Sequence, residues 1–491
     1  MKLIKKNQSI LITGVLFLIF SFFLSVFSHF NLQTNAFDLG VFAESVKNLK
    51  SFNATAINTV RIRPTLGDHF SPILFIPAII SKIIPFLPIS VVLLFLQSFT
   101  TFIGGVAFGI LGKDKLNERW GLFFQFFFYS FMGIQNALTF DFHEVVIATG
   151  LYPLLFLFLE KEKPFLLTLI YALILICKED QGFILFTFLF LYYVFKKRNK
   201  KYLLLSIFAL IFSFIEIYYI IPTINPSGYG YQKFYEKNIG FELLFDLVLN
   251  LGKYLQIIVN NEKKVFFINY GFLAGGFSLI FSPFLIPTIF FLLLQKHLTK
   301  NCSAWDLSFH YSAIFAPFLT LSLLNFVNKA SRFFQNITEN KKLVRAFLKK
   351  CNAGSAMLSG FFVCTIILNF FIYESPYIKK LGQNLDIIFS RKSLLAKDIK
   401  TDIFPIIKSG ETVSLQSNLV PHFLEKNKVF LFPYGLEEAK YIILSTKNTR
   451  EASYFWPIAP EERNAYIAKL SQSPDWKVSF LSQDYIVFEK V

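Results

Sequence analysis

Long apolar runs alternate with short charged loops through the first three quarters of the chain. The runs at about 10–29, 87–111, 120–139, 145–159, 165–177, 183–195 and 202–221 each predict a helix, with another at 311–327 and a last at 353–373. A spanning helix needs about 20 apolar residues. Lipid offers backbone groups no hydrogen bonds, so such runs fold as helices. The runs at 165–177 and 183–195 are short, and either extend through the polar cluster between them or meet a locally thin bilayer. Residues 72–86 are apolar but broken by Pro72, Pro77 and Pro85, which fits an interfacial helix or the start of a kinked span. The stretch 266–295, interrupted by Ser282-Pro283 and Pro287, predicts two short helices or one broken one. The polar segment 31–71 carries an apolar stripe of Phe37, Val41, Val46 and Leu49, which predicts an amphipathic helix from Asp38 to Lys50. Residues 222–265 read as a polar loop with aromatics (Tyr229, Tyr231, Tyr235).

After Tyr373 the pattern changes. Thr412–Leu415, Lys428–Phe432, Tyr441–Ser445 and Trp476–Phe480 read as short strands. Pro460–Gln472 reads as a helix with an acidic first turn, and Gln483–Glu489 closes a hairpin. The expected architecture is an α-helical polytopic membrane protein of about eleven transmembrane helices, residues 1–373, followed by a small extracytoplasmic α/β domain, 374–491.

Composition supports this reading: 54% of the residues are hydrophobic. The formal charge of +17 raises nucleic acid as a partner. Its distribution argues against that, because no basic-aromatic groove or known module stands out. The basic residues sit in short loops (Lys113, Lys115 and Arg119; Lys161 and Lys163; Lys196 to Lys201) and in the segment 328–350. That is the positive-inside pattern, which puts the N-terminus in the cytoplasm. The acidic clusters then all fall on the other face, and so does the C-terminal domain. The Lys-rich start resembles a signal peptide, but the run from Ile10 to Phe30 is long and no Ala-x-Ala site follows, so a retained first helix is expected. The expected location is a bacterial inner membrane. Cys177, Cys302, Cys351 and Cys364 show no CxxC or zinc spacing, and no spacing supports a Cys177–Cys302 disulfide.

Four polar clusters punctuate the first half. Asp38, in Phe37-Asp38-Leu39-Gly40, directly follows the first helix. It can cap an interfacial helix, serve as a general base that takes a proton from an acceptor hydroxyl, or do both. Asp68 and His69 lie between Gly67 and Pro72, as solvated loop residues or as part of a site. Arg61 and Arg63 just before them are loop charges or a phosphate clamp, since guanidinium binds phosphate oxygens bidentately. Asp141, His143 and Glu144 are three ionisable groups in four residues at a helix end. They are costly there unless they face a polar cavity. They suit a divalent cation or the hydroxyls of a sugar. Lys178, Glu179 and Asp180 form either an ordinary turn or a site in which Lys178 meets phosphate. Glu216 is an intramembrane acid with no partner identifiable from sequence. His310 and Tyr311 open a later helix on the face of the clusters, His29 closes the first helix there, and His422 reads as a surface residue.

The ordered set Phe37-Asp38-Leu39-Gly40, Gly67-Asp68-His69-Phe70-Ser71-Pro72, Phe140-Asp141-Phe142-His143-Glu144 and Lys178-Glu179-Asp180-Gln181-Gly182 resembles the DUF2079 family of predicted bacterial membrane proteins. His310-Tyr311 and Asn418-Leu419-Val420-Pro421-His422 fit the same pattern. That family is grouped with the GT-C glycosyltransferases, multi-helix membrane enzymes that use polyprenyl-phosphate-linked sugars. The resemblance implies a GT-C-like fold and a catalytic acid in the first extracytoplasmic loop, the place Asp38 occupies.

It further implies that a sugar on polyprenyl phosphate is attacked by a glycan, lipid or protein acceptor, with inversion. Asp38 would act as base, with Asp141 and Glu144 as the other catalytic candidates. Lys178, Arg61 or Arg63 would stabilise the departing phosphate. Asp68, His69, His143, Glu179, Asp180 and His310 would complete the substrate site, and Asp141, His143 and Glu144 are the candidate ligands of a divalent cation. The C-terminal domain would help to hold the acceptor. The absence of a Gly-rich nucleotide loop fits a lipid-linked donor. Two other classes compete. A transporter or flippase would use the acids as relays, but transporters usually place them near mid-membrane within internal repeats; Glu216 is that reading's best support. A non-catalytic scaffold would leave four costly clusters unexplained.

Overall fold

The computed structural model describes residues 7–235, 241–340, 360, 374–389, 399–446 and 456–491. The helical part begins with α1 (Gln8–Phe30), α2 (Val41–Lys50) and α3 (Phe75–Ile83), with a two-residue ribbon of β1 (Ile57–Asn58) and β2 (Arg63–Pro64) between the last two. It continues with α4 (Ile89–Lys115), α5 (Glu118–Ser130), α6 (Met132–Thr139), α7 (Glu144–Glu160), α8 (Pro164–Leu175), α9 (Gln181–Phe195) and α10 (Lys200–Ile224). Then come α11 (Phe241–Leu249), α12 (Leu251–Val259), α13 (Glu262–Leu273), α14 (Ile286–His297), α15 (Phe315–Asn340) and α16 (Pro376–Phe389). Among the described residues four helices are long and apolar enough to cross a membrane: Gln8–Phe30, Ile89–Lys115, Lys200–Ile224 and His310–Phe333. Pro72–Ile83, Pro164–Leu175, Gln181–Phe195 and Pro283–His297 are shorter apolar helices. The helix predicted at 353–373 lies, residue 360 apart, outside the described residues, as does 341–350 of the basic segment 328–350.

Most helices fall where the apolar runs predict them, and two differences have physical causes. The single helix expected over 120–139 is broken at Phe131, whose ψ of 131° turns the chain between α5 and α6. The groups freed at the break are satisfied: the Met132 N–H donates to the Tyr270 hydroxyl (2.6 Å) and Gln135 Nε2 to the Ser130 carbonyl (2.6 Å). The loop expected over 222–265 contains α11, α12 and the start of α13. In α12, Tyr254 and Ile258 are buried while Leu251, Leu255 and Val259 are exposed, each set spaced by four residues. Lys253 and Gln256 between them keep the segment from reading as a span, although its apolar residues recur at helical spacing.

Helix direction sorts the charges. The C-terminal end of α1, the N-terminal ends of α7 and α9 and the C-terminal end of α8 carry the acidic clusters. The opposite ends carry the basic loops, with ion pairs Lys115–Glu160 (2.6 Å), Lys161–Asp114 (2.5 Å) and Lys197–Glu162 (2.5 Å).

The C-terminal part forms a five-stranded sheet of β3 (Thr412–Leu415), β4 (Lys428–Leu431), β5 (Tyr441–Ser445), β6 (Trp476–Leu481) and β7 (Tyr485–Lys490), with α17 (Pro460–Gln472) before β6. The strand order is β4-β3-β5-β7-β6; β3 pairs parallel with β4 and β5, and β7 antiparallel with β5 and β6. Alternation sends side chains to two cores. Val413, Leu415, Tyr441, Ile443 and Val487 join the core of the helical part. Ile442, Leu444, Ile486 and Phe488 pack with Leu470 of α17. The sheet is thus fused to the helices by one of its faces.

Candidate active site

The first loop is held from both sides. At Phe37 the backbone leaves helical geometry (φ −100°, ψ 106°). The Asn35 N–H before it donates to Asp141 Oδ2 at 3.0 Å, and the Ala36 N–H to Ser417 Oγ at 3.2 Å. Asn418 Nδ2 reaches the Leu32 carbonyl at 3.2 Å. The rings of His29 and His422 stack at 4.3 Å, so His422 is a docking residue of α1 rather than the surface residue expected. Gly40 packs closely against the same segment: a Cβ there would stand 3.0 Å from Cγ1 of Val420. The late Asn418–His422 motif therefore serves the Asp38 loop, 381 residues away at the Ala36–Ser417 bond.

Asp38 faces a cavity of about 490 Å³. Arg61, Arg63, Asp68, His69, His143, Glu144, Lys178, Asp180 and His310 line it too, so the dispersed clusters converge on one chamber. Asp141 and Glu179 stand behind its wall. His143 Nε2 is hydrogen-bonded to Asp38 Oδ2, while the Asp38 side chain keeps 32% of its surface open. A carboxylate only accepts, so this bond puts the imidazole proton on Nε2. The His143 and His310 rings stack at 3.2 Å. Burial alone would push the Asp38 carboxyl up, but His143, Arg61 and Lys178 outweigh it and hold the group below the usual carboxylate range.

Most of the remaining charges have close partners. Asp68 receives Arg61 Nε (3.0 Å) and Arg63 Nη1 (2.7 Å), and the Tyr231 hydroxyl donates to it at 3.2 Å. Burial raises the Asp68 carboxyl, and His69, Arg61 and Arg63 bring it below its ordinary value. Lys178 Nζ lies 2.9 Å from Glu144 Oε1. Burial lowers the Lys178 ammonium, yet Glu144, Asp180 and Glu179 more than reverse this and keep it charged. Glu179 accepts from His69 Nδ1 (2.7 Å), the Tyr229 hydroxyl (2.9 Å) and the Phe70 N–H (3.2 Å). Asp180 accepts from Gln181 (2.8 Å) and Gln295 (2.7 Å). Asp141 is different: burial first, then the charge of Asp38, pushes it up to about 7. Its Oδ1 has no partner among the described residues.

This geometry redistributes the expected roles. Asp141 steadies the Asn35 backbone rather than facing the cavity, and Glu144 is tied to Lys178, so Asp141, His143 and Glu144 do not converge as ligands. Asp38, His143 and His310 do, each offering one ligand atom, all within 4.8 Å of one another. One carboxylate and two imidazoles suit Zn²⁺ or Mn²⁺. Such a cation would take the place of the proton between Asp38 and His143. Lining residues that escaped the sequence reading of the site include Lys296, whose ammonium lies over the Tyr311 ring, Ser417 and Trp456. The Trp456 ring meets Phe37 edge-on at 4.5 Å. Cys177 and Cys302 are both free thiols.

Fold and site together define a polytopic membrane protein with a polar chamber at the ends of its helices. The chain belongs to the family described as predicted membrane protein DUF2079, whose model matches residues 28–487. No curated protein matches it. Among solved structures it is similar to ArnT from Cupriavidus metallidurans bound to undecaprenyl phosphate, at 11% identity, covering 97% of this chain and 98% of that one with a TM-score of 0.51. ArnT from the same organism in the apo state gives 10% identity, 93% and 94% coverage and a TM-score of 0.44. The first likeness establishes a shared fold.

Proposed function

We propose that the protein is a membrane glycosyltransferase that moves a sugar from a polyprenyl-phosphate donor to a glycan, lipid or protein acceptor, with inversion. The observation that carries this reading is the Asp38–His143 hydrogen bond on the wall of a cavity in which Asp68 and Glu144 are held in ion pairs. The fold shared with a protein whose structure was solved with undecaprenyl phosphate supports the donor class. With about eleven spans the chamber opens on the extracytoplasmic face, and the C-terminal sheet, lying there, contributes Ser417 and Trp456 beside the acceptor.

The acceptor O–H gives its proton to Asp38 as its oxygen attacks the anomeric carbon. The C1–O bond to phosphate breaks, and its electron pair leaves with the polyprenyl phosphate. His143 orients the Asp38 carboxylate and spreads its charge. A carboxylate held below its ordinary pKa stays ionised at neutral pH, so it accepts a hydrogen bond at once and the proton itself late in the step. A cation on Asp38, His143 and His310 would supply charge stabilisation at the same point.

Transport keeps one observation in its favour: Glu216 is buried in α10, and neither carboxylate oxygen has a partner among the described residues. Incubating the purified protein with polyprenyl-phosphate sugars and candidate acceptors separates the readings. Glycosidic product of inverted anomeric configuration is expected; substrate crossing sealed vesicles without bond cleavage would overturn the transferase.

A further inference from the structure

The cavity wall carries the carboxylates Asp38, Asp68, Glu144 and Asp180 and the cations Arg61, Arg63, Lys178 and Lys296. Three carboxylates have close basic partners: Asp38 has His143, Asp68 has both arginines and Glu144 has Lys178. Asp180 is satisfied by the amides of Gln181 and Gln295. Lys296 is left over. Among the described residues no carboxylate stands within ion-pairing distance of its ammonium, although Asp180 exerts the strongest attraction on it. The ammonium lies 5.5 Å from the centroid of the Tyr311 ring, and the residue is only 8% exposed.

A buried ammonium with no anion is costly to keep. The aromatic face and the carbonyl end of α14 offset part of that cost. They do not explain why the group lines the chamber that holds Asp38 and His310. An anion arriving in the chamber would find Arg61, Arg63 and Lys178 already engaged and Lys296 open to it.

We propose that the Lys296 ammonium is the anion-binding group of this cavity and holds the phosphate of the donor lipid. The inference rests on the transferase reading for its ligand. As the sugar C1–O bond breaks, the electron pair stays on the phosphate oxygen and the leaving group gains one negative charge. The three N–H donors of Lys296 take up that charge. Arg61, Arg63 and Lys178 then act as positioning residues, each fixing a carboxylate of the wall. The shared chemistry is a phosphate anion, which free phosphate and pyrophosphate also offer.

The test uses the full-length protein in lipid nanodiscs. Binding of undecaprenyl phosphate, undecaprenol, inorganic phosphate and pyrophosphate is measured for wild type, Lys296→Met and Lys296→Arg, and each protein is melted without ligand. Expected is binding of undecaprenyl phosphate but not undecaprenol, lost by roughly 30-fold or more in Lys296→Met, as when one member of a buried charge pair is removed. Lys296→Arg should retain most of it. The ligand-free melting temperature of Lys296→Met should equal or exceed wild type, whereas a purely structural lysine would show a fall. If Lys296→Met does not fold, Lys296→Arg and Lys296→Gln carry the comparison. Undiminished binding in the folded charge-removing variant would overturn the proposal and leave the transferase reading standing. If wild type ignores the lipid phosphate but binds phosphate or pyrophosphate through Lys296, the site stands and the donor reading fails. If none of the four is bound, both fail.

Discussion

His143 Nε2 and Asp38 Oδ2 are hydrogen-bonded across 105 residues of sequence, at the mouth of a chamber that collects nearly every charged cluster of the membrane part. The bond orders the relationships around it. His310 stacks on His143, Asp141 holds the loop that carries Asp38, and the Asn418–His422 motif braces that loop from the C-terminal side.

The Asp38, His143 and His310 constellation predicts divalent cation binding. After chelation, adding Zn²⁺ or Mn²⁺ should raise the melting temperature of the wild type, and a cation at a hundred times its Kd would add about 2.7 kcal/mol. His310→Ala should abolish the shift. A wild type indifferent to every divalent cation tried would remove the metal from the site.

Glu144 and Lys178 form an ion pair with side chains 1% and 17% exposed. Removing one member strands the other charge, so Glu144→Gln should cost about 3–5 kcal/mol. Lys178→Met added to it should recover part of the loss. Chemical denaturation of the four proteins gives the coupling; additive losses would mean that the pair does not interact.

Asp141 makes stability depend on pH with a definite sign. Its folded pKa is about 7, above the ordinary 3.8. The folded protein therefore binds this proton more tightly than the unfolded chain, and the stability it confers is full below pH 3.8 and declines as pH rises towards 7. Asp141→Asn should match wild type below about pH 4, with an advantage that grows as pH rises through 7 and levels off above it at the order of a few kcal/mol. Parallel pH–melting curves for the two proteins would refute this.

Gly67 belongs to the Gly67–Pro72 motif for a packing reason. A Cβ there would lie 2.8 Å from Cβ of Asn225, whose Nδ2 donates to the Gly67 carbonyl at 3.1 Å. Gly67→Ala should cost about 1–3 kcal/mol through overpacking and displace the Asp68–His69 turn. An unchanged melting temperature would show that α10 yields at this point.

How much of this was legible in the sequence follows from where charge is expensive. Asp38, the Asp141–Glu144 cluster and the Lys178–Asp180 cluster stand out because ionisable groups at the ends of apolar helices must be accommodated. Their convergence could not be read, since it depends on which helix ends meet. Lys296 was hidden for a different reason: a lysine in Gln295-Lys296-His297 at the end of an apolar run looks like an ordinary flanking charge. Strands of the C-terminal sheet were visible because short apolar runs rich in β-branched and aromatic residues, such as Tyr441–Ser445, stand between polar segments. The fusion of that sheet to the helices was not, because burial of both faces of β5 looks the same whichever part supplies the second layer. In α11 and α12 the apolar residues recur at helical spacing, but each run is short and interrupted by charged or polar residues, so neither reads as a span.

The most direct measurement is sugar transfer from a radiolabelled polyprenyl-phosphate donor by wild type and Asp38→Asn, with donor binding and melting followed on the same preparations. Expected is a loss of transfer of roughly 10²-fold or more in the variant, with binding and melting preserved. Equal transfer by both proteins would contradict the role of Asp38 and with it the proposed mechanism.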